Sequence, residues 1–247
     1  MVAKPRRGQL ALSAVSLAIL GMVATSVDAA SLSVRIDYGA TMVVFEDNDG
    51  SGNDVNSSAD SAQFNLGDSA AAGLFLLEGF DDLTVSATQC TPCIGNPPFD
   101  QLGLTVEARH PASPLPLTVT ASATDFLLAP KFGFLYSGII PGGSVTTSGY
   151  WSATNDLFAE TNLIGSASHT GSKNNQTFSG QEGLIDAAFT GGPYSVTLRM
   201  VFDFADDQDL LQSQSQVIAT FPLPGALPLL MGGLGLLGAL RWRRRAA

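Results

Sequence analysis

Side chains able to bind a hard cation are concentrated between positions 47 and 54, where the sequence reads Asp-Asn-Asp-Gly-Ser-Gly-Asn-Asp. Asp47, Asp49 and Ser51 bear oxygens at alternate positions, and Asn53 follows a glycine, as at the start of a calcium-binding loop. The twelfth position holds Ser58 instead of the glutamate that completes an EF-hand loop. The sequence therefore predicts either a weak calcium site or an ordinary polar connection between strands.

The only two cysteines, Cys90 and Cys93, have the spacing of a redox pair or of half a zinc site. A zinc site needs two further ligands, and the chain offers only His110 and His169 in addition. A redox pair normally lies in a βαβ unit, which this sequence does not suggest. We predict that Cys90 and Cys93 form a local disulfide, as expected in an oxidising compartment.

Motifs of known catalytic sites are missing from the sequence, including the nucleophile elbow, the zinc-protease helix, the P-loop and the dinucleotide fingerprint. A glycosidase needs only two carboxylates, so their pairing in space stays open. Tyr150 and Trp151 could stack on sugar rings, although aromatic residues in alternating strands more often lie in a core. We expect a protein that is not an enzyme and that has no cofactor unless the segment 47–54 binds calcium weakly.

Apolar residues alternate with polar ones in short runs separated by Gly, Pro, Asn, Asp and Ser, which is typical of strands. The clearest runs are Leu32 to Tyr38, Leu117 to Ala121, and Tyr194 to Phe204. Thr41 to Phe45 and Leu74 to Leu77 are continuously apolar, which predicts strands covered on both faces, and Asp207 to Ser215 suggests a helical turn. The pattern favours an all-β fold with a single antiparallel β-sandwich ectodomain.

Charge in the middle of the chain is strongly acidic. Residues 30–220 contain five cations against 21 acids, a net charge of -16. Phosphate binding requires clusters of Lys and Arg, so we expect no nucleic-acid partner. Divalent cations and neutral glycans are better matched to such a surface.

The N-terminus has the layout of a secretory signal peptide. Lys4, Arg6 and Arg7 precede an apolar run from Leu10 to Ala24, and small residues follow up to Ala30. Val27 and Ala29 suit the pockets of a signal peptidase, which predicts a signal peptide over 1–29 and a mature chain that starts at Ala30. An uncut transmembrane anchor is the alternative.

The C-terminal 27 residues combine three features in a fixed order. A proline-containing block is followed by an apolar stretch from Ala226 to Leu240 and by terminal arginines; the residues of the two ends are Phe221, Pro222, Leu223, Pro224, Gly225, and Arg241, Arg243, Arg244, Arg245. Fifteen helical residues span about 22 Å, less than the roughly 30 Å of a bilayer core. The arginines place the end of the chain on the cytoplasmic side of the membrane.

This tail resembles the PEP-CTERM sorting signal of Gram-negative bacteria that produce exopolysaccharide. The resemblance implies that an exosortase cuts near Pro222 to Pro224 after transient residence in the inner membrane. Residues 221–247 would then be the sorting tail and 30–220 the ectodomain. An ordinary tail anchor is the alternative. The motifs Asp125-Phe126, Gly142 to Gly149 and Asn155-Asp156-Leu157-Phe158 are also similar to a group of β-rich PEP-CTERM proteins.

Together these features predict an exported, non-enzymatic protein of the cell surface or extracellular matrix, associated with exopolysaccharide or biofilm. Its expected partners are signal peptidase, an exosortase and exopolysaccharide. The alternative is a secreted carbohydrate-binding module, or a weak glycan-active enzyme, that uses the same export route.

Overall fold

The computed structural model describes residues 31–47, 52–56, 60–93, 99–110, 115–126, 131–171, 176–186, 192–204 and 209–220. These contain one short helix, α1 (Ala72–Leu77), and twelve strands: β1 (Leu32–Tyr38), β2 (Thr41–Glu46), β3 (Ser61–Asn65), β4 (Asp82–Cys93), β5 (Phe99–His110), β6 (Leu117–Phe126), β7 (Lys131–Ile140), β8 (Ser144–Ser152), β9 (Asn162–Thr170), β10 (Gln176–Asp186), β11 (Tyr194–Asp203) and β12 (Asp209–Thr220). The predicted signal peptide and sorting tail lie outside the described residues.

Two six-stranded antiparallel sheets face each other. Sheet A has the strand order β2-β1-β6-β11-β8-β9, and sheet B has the order β10-β7-β12-β5-β4-β3. Strand β11 packs on β5 and β12, and β1 packs on β3 and β4. The all-β expectation is confirmed at this level, as a two-sheet antiparallel sandwich. In the described part of the chain, no helix is both long enough and apolar enough to cross a membrane.

The core consists of the alternate residues that the sequence pattern had indicated. On β1 the buried apolar residues are Leu32, Val34, Ile36 and Tyr38, and on β11 they are Tyr194, Val196, Leu198, Met200 and Phe202. One face of each of these strands therefore turns towards the opposite sheet, because side chains alternate across a strand.

The prediction for Thr41 to Phe45 is wrong in its burial. Strand β2 belongs to one of two facing sheets, so only the face that it turns towards sheet B meets the core. Val43 and Phe45 are buried, whereas Met42 is 63% exposed and Val44 is 45% exposed.

The prediction of a strand over Leu74 to Leu77 is also wrong. These residues belong to α1, in which Phe75 is buried while Leu74, Leu76 and Leu77 are exposed. The Phe75 ring packs edge-on against Phe64, with centroids 5.4 Å apart. Such a short apolar run has no periodicity that distinguishes a turn of helix from a strand.

A third prediction, the helical turn over Asp207 to Ser215, is replaced by strand β12 from residue 209 onwards. This strand lies between β7 and β5 in the interior of sheet B. Its inward residues include Ser213 and Ser215, both 1% exposed. Because buried serines alternate with glutamines here, the apolar signal of a strand is missing from the sequence.

Candidate functional site

The outer face of sheet B is rich in uncharged polar side chains. Strand β12 turns its buried residues towards sheet A, so that Gln212, Gln214 and Gln216 project to the outside by alternation. Gln212 and Gln214 are exposed and Gln216 is half-buried. The neighbouring strands continue the same chemistry with Ser and Thr, so this face presents amide and hydroxyl groups across the sheet.

One position on each of the six strands falls into a single row. The strand registers align, from β3 to β10, Gln63, Ser86, Thr105, Gln214, Ser137 and Ser179. We call this set the polar row. With a spacing of roughly 4.8 Å between strands, it extends for about 24 Å. All six side chains are neutral and can donate or accept hydrogen bonds.

Two shallow depressions lie along the polar row and share Ser137, Ser179 and Gln214. One has a volume of about 280 Å³ and is also lined by Leu135 and Tyr136. The other has a volume of about 430 Å³ and reaches Thr105. The row therefore combines neutral hydrogen-bonding groups with some apolar surface. These two kinds of surface are complementary to the hydroxyls and the C–H groups of a sugar ring.

The face holds little charge near the polar row. The carboxylate of Glu107 lies beside it, where its Oε2 accepts a 3.5 Å contact from Nε2 of Gln212. No motif in the sequence marks this site, because it consists of single glutamines, serines and a threonine. The available signal was the alternation of Gln212, Gln214 and Gln216, which indicates one face of a strand.

Of the four predicted calcium ligands, the structure describes Asp47 and Asn53, while Asp49 and Ser51 lie outside the described residues. Asp47 Oδ2 accepts a 2.7 Å hydrogen bond from the backbone N–H of Asp60. Asn53 Oδ1 accepts one from the N–H of Ala71, and the Asn53 carbonyl accepts one from Ser69 Oγ. That carbonyl is the group expected to bind calcium, and its second lone pair could still do so.

Burial raises the pKa of the Asp47 carboxyl above its ordinary value, and repulsion from Asp54 and Asp60 raises this pKa further. The backbone hydrogen bond from Asp60 acts in the opposite direction but does not cancel the increase. Among the described residues, no three His, Cys, Asp or Glu side chains form a group that could hold a metal ion. The calcium site stays a prediction that a binding experiment can decide.

If Asp47 binds calcium, about 10 mM calcium should raise the stability by about 1.4 kcal/mol for a millimolar dissociation constant. Thermal melting at neutral pH would show the gain in the wild type and a smaller gain in Asp47→Asn. The effect should disappear as the pH falls through the raised pKa of Asp47, because a protonated carboxyl is a poor ligand. Equal melting with and without calcium would identify the segment as a plain polar loop.

Cys90 and Cys93 both belong to β4, and the backbone between them is irregular. Cys90 lies opposite Gln101 and Cys93 opposite Phe99, so β4 contains one extra residue there, as in a β-bulge. No described cysteine is a free thiol. The side chain of Cys93 lies outside the described residues, so the bond between these two residues stays a prediction.

The two aromatic residues considered for sugar stacking have different environments. Trp151 is 9% exposed and stacks on Phe132 with ring centroids 5.9 Å apart, as part of the core. Tyr150 is half-buried. The core alternative is therefore confirmed for Trp151. The sorting-motif residues, from Phe221 to Gly225 and Arg241 to Arg245, lie outside the described part of the chain.

Comparisons with known proteins give distant similarities of fold only. No family model matches the chain, and no curated protein matches it. Among solved structures, TmCBM61 in complex with β-1,4-galactotriose is 12% identical with a TM-score of 0.30, covering 57% of this chain and 92% of that one. The adhesin domain of Epf from Streptococcus pyogenes is 12% identical with a TM-score of 0.32, covering 76% and 57%. The carbohydrate-binding module CBM6cm-2 from Cellvibrio mixtus lichenase 5A, in complex with cellotriose, is 8% identical with a TM-score of 0.20, covering 55% and 88%.

Proposed function

We propose that this chain is an exported, non-enzymatic protein of the bacterial surface or extracellular matrix, which adheres to polysaccharide through the polar row and is processed by an exosortase. The observation that carries the adhesive part is the alignment of six neutral hydrogen-bonding side chains across sheet B. Export and processing rest on the two ends of the sequence.

Neutral amides and hydroxyls suit sugar hydroxyls because each can donate and accept a hydrogen bond without the desolvation cost of a charge. The row is built on paired strands, so its side chains are held at a fixed spacing before a ligand arrives. Such pre-organisation lowers the entropy cost of binding. The net charge of -16 over residues 30–220 gives no comparable attraction for a polyanion at this face.

A glycan-active enzyme is the second candidate and would use the same surface. Hydrolysis requires a pair of carboxylates flanking the scissile bond, and none of the six residues of the polar row is an acid. Glu107 beside the row is the one to test for a catalytic role. The two functions differ in whether the polymer is shortened.

The double variant Gln214→Ala/Ser137→Ala should bind the producer's exopolysaccharide roughly 10- to 30-fold more weakly, since each lost hydrogen bond contributes about 1 kcal/mol. Co-sedimentation of the full-length chain in mild detergent with the polymer measures this. Gln176→Ala is a matched control. Gln176 is an exposed glutamine at the start of β10, but by strand alternation it lies on the opposite face from Ser179 of the polar row.

An equal loss in the Gln176→Ala control would show that the polar row is not the binding surface. Release of new reducing ends from the polymer, abolished by Glu107→Gln, would instead establish the enzymatic alternative. Adhesion without any change in polymer length is the outcome that the proposed function requires.

A further inference from the structure

A nine-residue connection crosses the outer face of sheet A, on the side of the molecule opposite the polar row. It comprises residues 153–161 between β8 and β9, and we call it the strap. The backbone N–H of Phe158 donates a 2.9 Å hydrogen bond to Ser122 Oγ on β6. Asn155 and Asp125 bond each other twice: the Asp125 N–H donates to Asn155 Oδ1, and Asn155 Nδ2 donates to Asp125 Oδ1, both at 2.8 Å. The strap is thus attached to β6 at two points.

Backbone strain accompanies these attachments. Asn155 and Phe158 in the strap have φ values of 57° and 59°, and Asp125 has a φ of 63°. Asn and Asp tolerate this left-handed region, whereas an aromatic residue rarely adopts it. Such a conformation persists only where contacts impose it. The strap is therefore held in place by its contacts with sheet A and not by its own conformational preference.

Two of the five cations between residues 30 and 220 lie beneath the strap. Arg35 on β1 and Arg199 on β11 are both paired in register with Thr120 on the intervening strand β6. The row Arg35-Thr120-Arg199 therefore places two guanidinium groups on either side of one hydroxyl. Each arginine has one acid close by, Asp37 beside Arg35 and Glu160 beside Arg199.

Polar atoms in this row lack hydrogen-bond partners among the described residues. The Thr120 hydroxyl oxygen is buried and unpaired, and so is Arg199 Nε. Thr120 as a whole is 0% exposed. Buried donors without acceptors are costly and uncommon. Both groups can donate to an oxygen, so the row has the chemistry of an anion site.

The strap supplies one carboxylate to this row but does not satisfy it. Glu160 Oε2 lies 3.7 Å from Arg199 Nη1, which is beyond hydrogen-bonding distance. The ring of Phe158 lies 5.1 Å from Arg35 Cζ, in cation–π geometry. Arg35 also pairs with Asp37, with Nε 2.9 Å from Oδ2. The arginine on the Glu160 side is therefore the less well satisfied of the two.

We propose that Arg35, Thr120 and Arg199 form a binding site for a carboxylate, and that Glu160 is the internal carboxylate which the ligand displaces. That the carboxylate belongs to an acidic sugar rests on the proposed function. The planar guanidinium of arginine can bind a carboxylate through two parallel hydrogen bonds, a geometry that no other side chain offers. The contact with Glu160 favours a carboxylate over a sulfate or phosphate as the occupant. This site lies on the other sheet from the polar row and does not depend on it.

The probe is polygalacturonate, a polymer of sugar acids, with its methyl-esterified form as the uncharged counterpart. Affinity for the full-length chain in mild detergent is measured by biolayer interferometry. Glu160→Gln should bind polygalacturonate roughly two- to fivefold more tightly than the wild type, because an exposed ion pair that competes with the ligand has been removed. Arg199→Gln and Arg35→Gln should each bind about tenfold more weakly.

Arg109→Gln is the control, since it removes an equal charge from the exposed end of β5 in sheet B. Arg109→Gln should bind like the wild type. The proposal is overturned if Arg109→Gln weakens binding as much as Arg199→Gln, if Glu160→Gln brings no gain, or if the methyl-esterified polymer or dextran sulfate binds as tightly as polygalacturonate. Glu160 is exposed, so its variant tests the proposal even where an arginine variant does not fold. The polar-row variant Gln214→Ala/Ser137→Ala should bind polygalacturonate like the wild type. This result separates the carboxylate site from the polar row of the proposed function.

Discussion

Replacing Gly138 by alanine is expected to lower the melting temperature by roughly 6–12 °C, for a loss of about 3 kcal/mol and about 2–4 °C per kcal/mol in a domain of this size. A Cβ at this position would collide with the backbone carbonyl of Gln212 and stand 2.5 Å from the ring of Phe178. Circular dichroism melting of the two proteins measures the difference.

The reason for this cost is a cross-strand arrangement on the inner face of β7 and β10. Gly138 lies opposite Phe178, and Gly180 lies opposite Tyr136. Each glycine accommodates the aromatic ring of the facing strand. Phe178 also stacks on His169 with centroids 4.2 Å apart, so its ring has little room to withdraw. The Gln212 carbonyl belongs to the neighbouring strand β12 and cannot move without breaking the sheet.

The matched control is Gly73→Ala in α1. No atom lies within 4 Å of a Cβ at Gly73, and alanine favours a helix over glycine by about 1 kcal/mol. This variant should melt at the wild-type temperature or slightly above it. If Gly138→Ala also melts there, then Phe178 does not pack over Gly138 in the folded protein.

The sequence was sufficient to predict strands wherever one face is apolar and the other polar. The alternation of Leu32 to Tyr38, and that of Tyr194 to Phe202, matches β1 and β11, whose alternate apolar residues are buried against sheet B. Both strands lie inside sheet A, so their inner faces pack on sheet B. In such strands the side-chain period determines which residues face the core, but it does not indicate the burial of Ser33, Ser195 and Thr197 on the other face.

Elements with an unusual environment could not be predicted in the same way. Strand β12 has buried serines where an apolar residue was expected, and β2 exposes Met42 and Val44 because they lie on the face turned away from sheet B. The polar row required the register of six strands, which depends on pairings between residues as distant as Thr105 and Gln214. No local pattern contains that information.

The row Arg35-Thr120-Arg199 shows the same limit more sharply. In the sequence, the five cations of residues 30–220 are scattered and indicate no site. The pairing of β1 and β11 with β6 nevertheless brings Arg35 and Arg199 next to the hydroxyl of Thr120. In the sequence, the motif from Asn155 to Phe158 stands out only by its similarity to β-rich PEP-CTERM proteins. Its physical role, attachment of the strap to β6, depends on Asp125 and Ser122 from another part of the chain.

Replacing Pro222 and Pro224 by alanine is expected to leave the full-length chain in the inner membrane, whereas the wild type is released without its C-terminal apolar stretch and arginines. Proline lacks the backbone N–H that a helix needs and disfavours helix in the residue before it. The two prolines therefore separate the proposed cleavage motif from any helix formed by Ala226 to Leu240. With alanines, the helix could extend through the motif and withhold the scissile bond from the exosortase. Cell fractionation followed by intact-mass measurement reports both location and processing.

The chain contains its own control for this experiment, because Pro114-Leu115-Pro116 repeats the sequence of Pro222-Leu223-Pro224. Pro114→Ala/Pro116→Ala changes the same residues away from the tail and should be released like the wild type. Deleting residues 241–245 should act differently: without the positive end, the apolar stretch loses its topological stop and the uncut chain can pass through the membrane. A strain without the exosortase should retain the wild type at full length, as the tail variant does. If all four proteins stay uncut in the membrane, with or without the enzyme, the C-terminus is instead a permanent tail anchor, because a simple anchor needs neither the prolines nor the enzyme.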